Sequence, residues 1–127
     1  MPARPSVVDV SSRGSTAVVR CSGELDIATR GALRVAIDEA LSLAPRRLVV
    51  DCDEVGFIES STIQELLDAA ARCRSRDISF ELAAAGRVRR VLDMAGLWWL
   101  GVIEDGLALA VALDEVDRDP DQAGESV

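Results

Sequence analysis

The chain has 127 residues, a hydrophobic fraction of 49% and a net charge of −8, from 22 acidic against 14 basic residues. That length predicts one domain, and the apolar content is enough for a core and too high for a disordered chain. The acidic balance excludes a nucleic-acid partner, which demands a basic footprint; the lack of His, Tyr and Lys excludes histidine triads, histidine metal sites, tyrosine phosphorylation, Schiff bases and P-loops.

Residues 1–6, beginning Met1-Pro2-Ala3-Arg4-Pro5, form an arm without the apolar stretch of a signal peptide. No later apolar run is long enough to cross a bilayer. The expectation is a cytoplasmic protein with no membrane partner. Val7-Val8-Asp9-Val10 and Thr16 to Cys21 predict two strands, joined by a hairpin-type turn at 11–15. Gly23-Glu24-Leu25-Asp26 is a loop in which Asp26 can cap the helix that follows. From about Ile27 to Leu43, the residues Leu33, Ala36, Ile37, Ala40 and Leu41 fit one helical face, and Pro45 ends the helix.

Leu48-Val49-Val50 with Cys52 predicts a strand buried on both faces. A helix from about Ser61 to Arg74 buries Ile63, Leu66, Leu67 and Ala70. Ile78 to Leu82 alternates apolar and polar, as a half-exposed strand does. Arg87 to Ala95 is a short helix with a Val88, Val91, Leu92 stripe, and Gly96 stands where a left-handed C-cap glycine belongs. Trp98 and Trp99 lie on opposite sides of an extended segment, so one packs and one is exposed. A last strand at Leu100–Ile103 and a last helix at Gly106–Leu113 follow.

Residues 114–127 carry six acids and one Arg, a net of −5 that leaves −3 for the rest, and predict a solvated, mobile tail. Cys21, Cys52 and Cys73 are widely spaced among apolar neighbours and predict buried free thiols of a reducing compartment. Arg87, Arg89 and Arg90 read as solvated cations, with an acidic partner surface as the alternative. The order of elements predicts an α/β domain over 7–113, with a mixed, mostly parallel sheet and packed helices. The loops at 23–26 and 59–61 both follow strands and are expected at one end of the molecule.

A hydroxyl delivered by a strand onto a helix N-terminus is a seat for phosphate, because free backbone N–H groups and the helix dipole both favour negative charge. Ser61 with Gln64 has the spacing of an S-x-x-Q capping box. On that reading Ser61 is spent on the helix, while Ser60 keeps a free hydroxyl for an incoming phosphoryl group. Taken by itself, a serine pair before an apolar run is also simply a helix cap, and the motif leaves that alternative open.

Three stretches carry a resemblance. Gly23-Glu24-Leu25-Asp26 is similar to the G-x-[LI]-D loop of anti-sigma factor antagonists of the STAS family. Val50 to Leu67 resembles their strand, Asp-Ser-Ser-Gly and helix. Val91-Leu92-Asp93-Met94-Ala95-Gly96-Leu97 is similar to their late helix ending in Gly-Leu. The resemblance covers about Val7 to Leu113. It implies that Ser60 is the residue phosphorylated by a cognate anti-sigma factor with serine kinase activity. It also implies that the unphosphorylated protein binds that factor and frees a sigma factor. Asp26 falls on the family's kinase-facing loop aspartate, and Glu24, Asp26, Glu59, Ser60, Ser61 and Thr62 form the expected partner-binding set. Glu59 stands where the family usually has Asp, and Thr62 where it usually has Gly.

The reading is a non-enzymatic binding switch without metal or cofactor, with self-association as a homodimer left open. The alternative is a constitutive STAS scaffold that is not phosphorylated on Ser60. A small-ligand or nucleotide module is the third class, and no Gly-rich phosphate loop supports it.

Overall fold

The computed structural model describes residues 7–84, 86–96 and 102–103. Five strands and three helices alternate as β1 (Val7–Arg13), β2 (Thr16–Leu25), α1 (Arg30–Ser42), β3 (Arg47–Ile58), α2 (Ser60–Ser75), β4 (Ser79–Ala83), α3 (Gly86–Met94) and β5 (Val102–Ile103). The sheet runs β1-β2-β3-β4-β5, with only the β1–β2 pair antiparallel. This is the mixed, mostly parallel α/β sheet that the element order predicts.

The β1–β2 hairpin closes with Arg13 opposite Thr16, leaving Gly14 and Ser15 as a two-residue loop. Gly14 has φ +61°, a conformation glycine adopts without a Cβ penalty. Alternate residues of the strands meet the helices on one face of the sheet. Ala17, Val19 and Cys21 of β2, Leu48, Val50 and Cys52 of β3, and Leu82 of β4 meet Leu33, Ile37 and Leu41 of α1, Leu66 and Cys73 of α2, and Val88 and Leu92 of α3. Each large side chain fully buried there contributes about 1.5–3 kcal/mol. All five residues predicted for the inner face of α1 are buried.

Boundaries and one buried face differ from expectation: β2 runs on to Leu25, through residues expected in a loop. Helix α1 starts at Arg30 and not near Ile27, because Asp26 and Thr29 hold 27–29 in a turn: the Thr29 N–H donates to the Asp26 carbonyl at 3.1 Å. Strand β3 continues beyond Cys52 to Ile58, because β2 offers it parallel ladder partners as far as Leu25 opposite Ile58. Within β3, Leu48 through Cys52 are all buried, as a strand covered on both faces should be. Helix α2 is rotated relative to the predicted stripe: Thr62, Glu65, Leu66, Ala69, Ala70 and Cys73 are buried, while Ile63 and Leu67 are half-buried at its margin. A carboxylate on that inner face is tolerated because Arg30 of α1 reaches Glu65 at 2.8 Å.

Helix α3 ends at Gly96, whose φ of +78° and N–H bond to the Asp93 carbonyl at 3.0 Å make it the expected left-handed terminus. Arg89 is held by Asp93 one turn on, and Arg90 is exposed. Cys21, Cys52 and Cys73 are free and buried. Among the described residues, no helix is long and apolar enough to cross a membrane. The arm at 1–6, Trp98, Trp99, the Gly106–Leu113 helix and the acidic tail lie outside the described residues.

Candidate functional site

The parallel pairing of β2 with β3 brings their following loops together. Leu25 is opposite Ile58, and the next residue, Glu59, donates its N–H to the Leu25 carbonyl at 2.8 Å. Two register shifts, at 20–22 and 23–24, precede this junction. Gly23 sits at the second shift with φ +86°, which explains the glycine of the G-x-L-D stretch. Asp26, Glu24, Glu59, Ser60, Ser61 and Thr62 therefore lie on one junction at one end of the sheet.

On the β2 side, the Asp26 carboxylate accepts the N–H groups of Ala28 at 3.0 Å and Thr29 at 3.2 Å. Asp26 thus caps a turn, one step ahead of the helix it was expected to cap. The Thr29 hydroxyl accepts the Asp26 N–H at 2.9 Å and lies 3.1 Å from the Glu24 carbonyl, to which it can donate. This Asp-x-x-Thr reciprocity has the form of a local cap, and its spacing was legible in the sequence. Glu24 has an exposed side chain and pairs with Phe57 across the ladder.

On the β3 side, Glu59 is the N-cap of α2, in extended conformation with φ −96° and ψ 154°. Its carbonyl accepts the N–H groups of Thr62 at 3.0 Å and Ile63 at 3.2 Å. Its carboxylate turns away from its own helix and accepts the Ile27 N–H at 3.1 Å. Thr62 is fully buried, with its hydroxyl 2.6 Å from the Glu59 carbonyl and 3.0 Å from the Leu25 carbonyl. Thr62 is thus a tie between the start of α2 and the end of β2, and it is shielded from any kinase.

The capping box predicted for Ser61 and Gln64 does not form. Ser61 is the second residue of α2, and its buried Oγ finds no hydrogen-bond partner among the described residues. Gln64 instead donates to Asp68 at 3.3 Å. The cap position passes to Glu59 because Thr62 and the β2–β3 ladder fix the chain direction two residues earlier than local spacing suggests.

Ser60 is the first residue of α2 and is exposed. The first N–H groups of a helix have no intrahelical acceptor, so charge placed on this side chain meets the positive end of the helix dipole. No described side chain is hydrogen-bonded to the Ser60 hydroxyl, and the chain has no His or Lys to serve as a general base. The hydroxyl is thus presented without being activated, as suits a group on which another protein acts. Among the described residues, no cluster of three or more His, Cys, Asp or Glu side chains could hold a metal ion.

Comparison with known proteins follows the same outline. The family model described as "Mlab, STAS domain" matches residues 8–100. The anti-sigma-F factor antagonist RsfB of Mycobacterium tuberculosis is 33% identical over 91 residues, covering 71% of this chain and 74% of that protein. The crystal structure of an anti-sigma factor antagonist from Mycobacterium paratuberculosis superposes with a TM-score of 0.77 at 25% identity, over 87% of this chain and 95% of that one. The phosphorylated form of the Bacillus cell fate determinant SpoIIAA shares the fold, with a TM-score of 0.64 at 20% identity over 85% of this chain and 97% of that one.

Proposed function

This chain belongs to the STAS domain family, and from that premise we propose that it is an anti-sigma factor antagonist switched by phosphorylation of Ser60. In its unphosphorylated form it binds an anti-sigma factor that has serine kinase activity and thereby frees a sigma factor for transcription. The phosphorylated form releases that partner. The protein is a regulator and not an enzyme; its relatives are named as antagonists of anti-sigma factors.

One observation carries this reading. Ser60 is exposed at the first position of α2, beside a junction in which both acidic loops are held by hydrogen bonds to one another. A docked partner covers a surface that presents the exposed Ser60 hydroxyl. A phosphate there adds roughly −1.5 to −2 charge at pH 7. The helix N-terminus offsets that charge within the antagonist, so the fold survives. The partner has no such compensation, and an unpaired charge desolvated at an interface costs about 2–5 kcal/mol.

The test pairs intact-mass measurement with calorimetry. Candidate anti-sigma kinases should add one phosphate to the wild type and none to Ser60→Ala. Ser60→Asp should bind the cognate anti-sigma factor more weakly while melting like the wild type. Equal binding by wild type and Ser60→Asp would mean that the protein is a constitutive STAS scaffold.

A further inference from the structure

Two exposed apolar side chains stand at the junction that carries Ser60, and the backbone beneath each is fixed. Ile27 is 71% exposed and Phe57 is 47% exposed. The Ile27 N–H is held by the Glu59 carboxylate at 3.1 Å, and the next two N–H groups, of Ala28 and Thr29, are held by the Asp26 carboxylate. Ile27 therefore projects into solvent from a pinned turn.

Phe57 faces outward because the β2–β3 ladder is bulged. Gly23 pairs with Val55 and the next β2 residue, Glu24, pairs with Phe57, so Gly56 is left without a ladder partner. Val55 and Ile58 both belong to the core, although strict alternation would send them to opposite faces. The extra residue absorbs the mismatch and turns Phe57 away from the core. Re-aiming a side chain beside a functional site is a recurrent use of a bulge.

We propose, resting on the phosphorylation switch proposed above, that Ile27 and Phe57 are the apolar anchors on which the anti-sigma factor seats itself over Ser60. A kinase that delivers a phosphoryl group to the Ser60 hydroxyl must cover it. A stable interface buries about 800 Å² per partner, a patch of about 16 Å radius. Ile27 is hydrogen-bonded to the residue next to Ser60, and Phe57 precedes Ser60 by three residues, about 10 Å of extended chain. Both fall inside that footprint. Leu43 is equally exposed, at 53%, but it follows the end of α1, about 20 Å of helix away from Arg30.

Interfaces concentrate their energy in a few anchors that the partner desolvates fully, and anchors on fixed backbone lose little freedom on binding. A second copy of the chain is the poorer occupant. Residues 21–29 and 51–60 contain six acids and no basic residue, so two copies docked face to face through this junction would oppose like charges.

Calorimetric titration against the anti-sigma kinase that phosphorylates the wild type tests the anchors. Phe57→Ala and Ile27→Ala should each weaken binding about tenfold or more, and Leu43→Ala by less than about twofold. Ile27 is mostly in solvent, so its truncation leaves the fold intact; matched thermal melts make the same check for Phe57→Ala. Weaker binding by Ser60→Asp but by neither truncation would overturn the anchors and spare the switch. Weaker binding by both truncations but not by Ser60→Asp would keep the anchors and sink the switch. A wild-type dimer that both truncations disperse, with kinase binding unchanged, would make a second copy the occupant and overturn the proposal.

Discussion

The Glu59 carboxylate accepts a hydrogen bond from the Ile27 backbone N–H at 3.1 Å, across 32 residues of sequence. It joins the loop after β2 to the loop that carries the exposed serine. Glu59 stands where the resembling family usually has Asp, and here its carboxylate reaches the neighbouring loop.

Shortening or neutralising this side chain should loosen the β2 loop with little effect on overall stability, because the bond is exposed and exposed bonds contribute about 1 kcal/mol or less. In Glu59→Ala the Ile27 amide should exchange faster with solvent while the denaturation midpoint hardly moves. Glu59→Asp should behave like the alanine variant. Residue-resolved hydrogen exchange makes the comparison, and unchanged Ile27 exchange in both variants would rule out the link.

Thr62 should prove to be the structural hydroxyl of the site. Thr62→Val keeps the volume and removes the bonds to the Glu59 and Leu25 carbonyls; because each carbonyl retains a backbone N–H partner, the cost should be about 0.5–1.5 kcal/mol. Thr62→Gly adds a cavity and the helix penalty of glycine, and should cost about 2–4 kcal/mol in all. Denaturant titration of the two variants checks the order and the gap.

The two serines should not differ in stability as their spacing suggests. The Ser61 hydroxyl is buried without a partner, so Ser61→Ala should leave stability unchanged or raise it slightly. A loss of more than about 1 kcal/mol would restore a capping role. Ser60→Ala should also be neutral for stability, since its side chain is exposed.

Stability should fall at alkaline pH through the thiols. The Cys52 thiol is pushed well above its ordinary value, first by its hydrogen bond with Cys21 and then by burial; burial raises Cys73 despite Arg72 and Arg76. A folded-state value above the unfolded one means that the stabilisation is complete below the unfolded thiol value. It is then lost as pH rises from there through the folded value. The chain has no Lys and no Tyr, so no other side chain blurs this window. Cys52→Ala should lower the melting temperature at every pH through lost core packing and, beyond that offset, flatten the alkaline slope of the profile.

Periodicity alone located the elements. The α1 stripe of Leu33, Ala36, Ile37, Ala40 and Leu41, the unbroken burial of Leu48 to Cys52 and the terminal Gly96 all follow from local rules, because each reflects a repeat or a backbone preference that neighbouring residues decide among themselves. Likewise, the meeting of the two predicted segments follows from parallel strands ending together, although Gly23–Leu25, expected as a loop, continues β2, and Ser60 and Ser61 open α2. The tertiary structure decided which group each hydroxyl and carboxylate would serve. Ser61 lost its expected cap because Leu25, Glu59 and Thr62 fix the start of α2 from another strand. Glu65 could be buried because Arg30 arrives from α1. A hydrogen bond across some thirty residues leaves no periodic trace in sequence. Its partners are chosen by strand register, and register exists only once the sheet has formed.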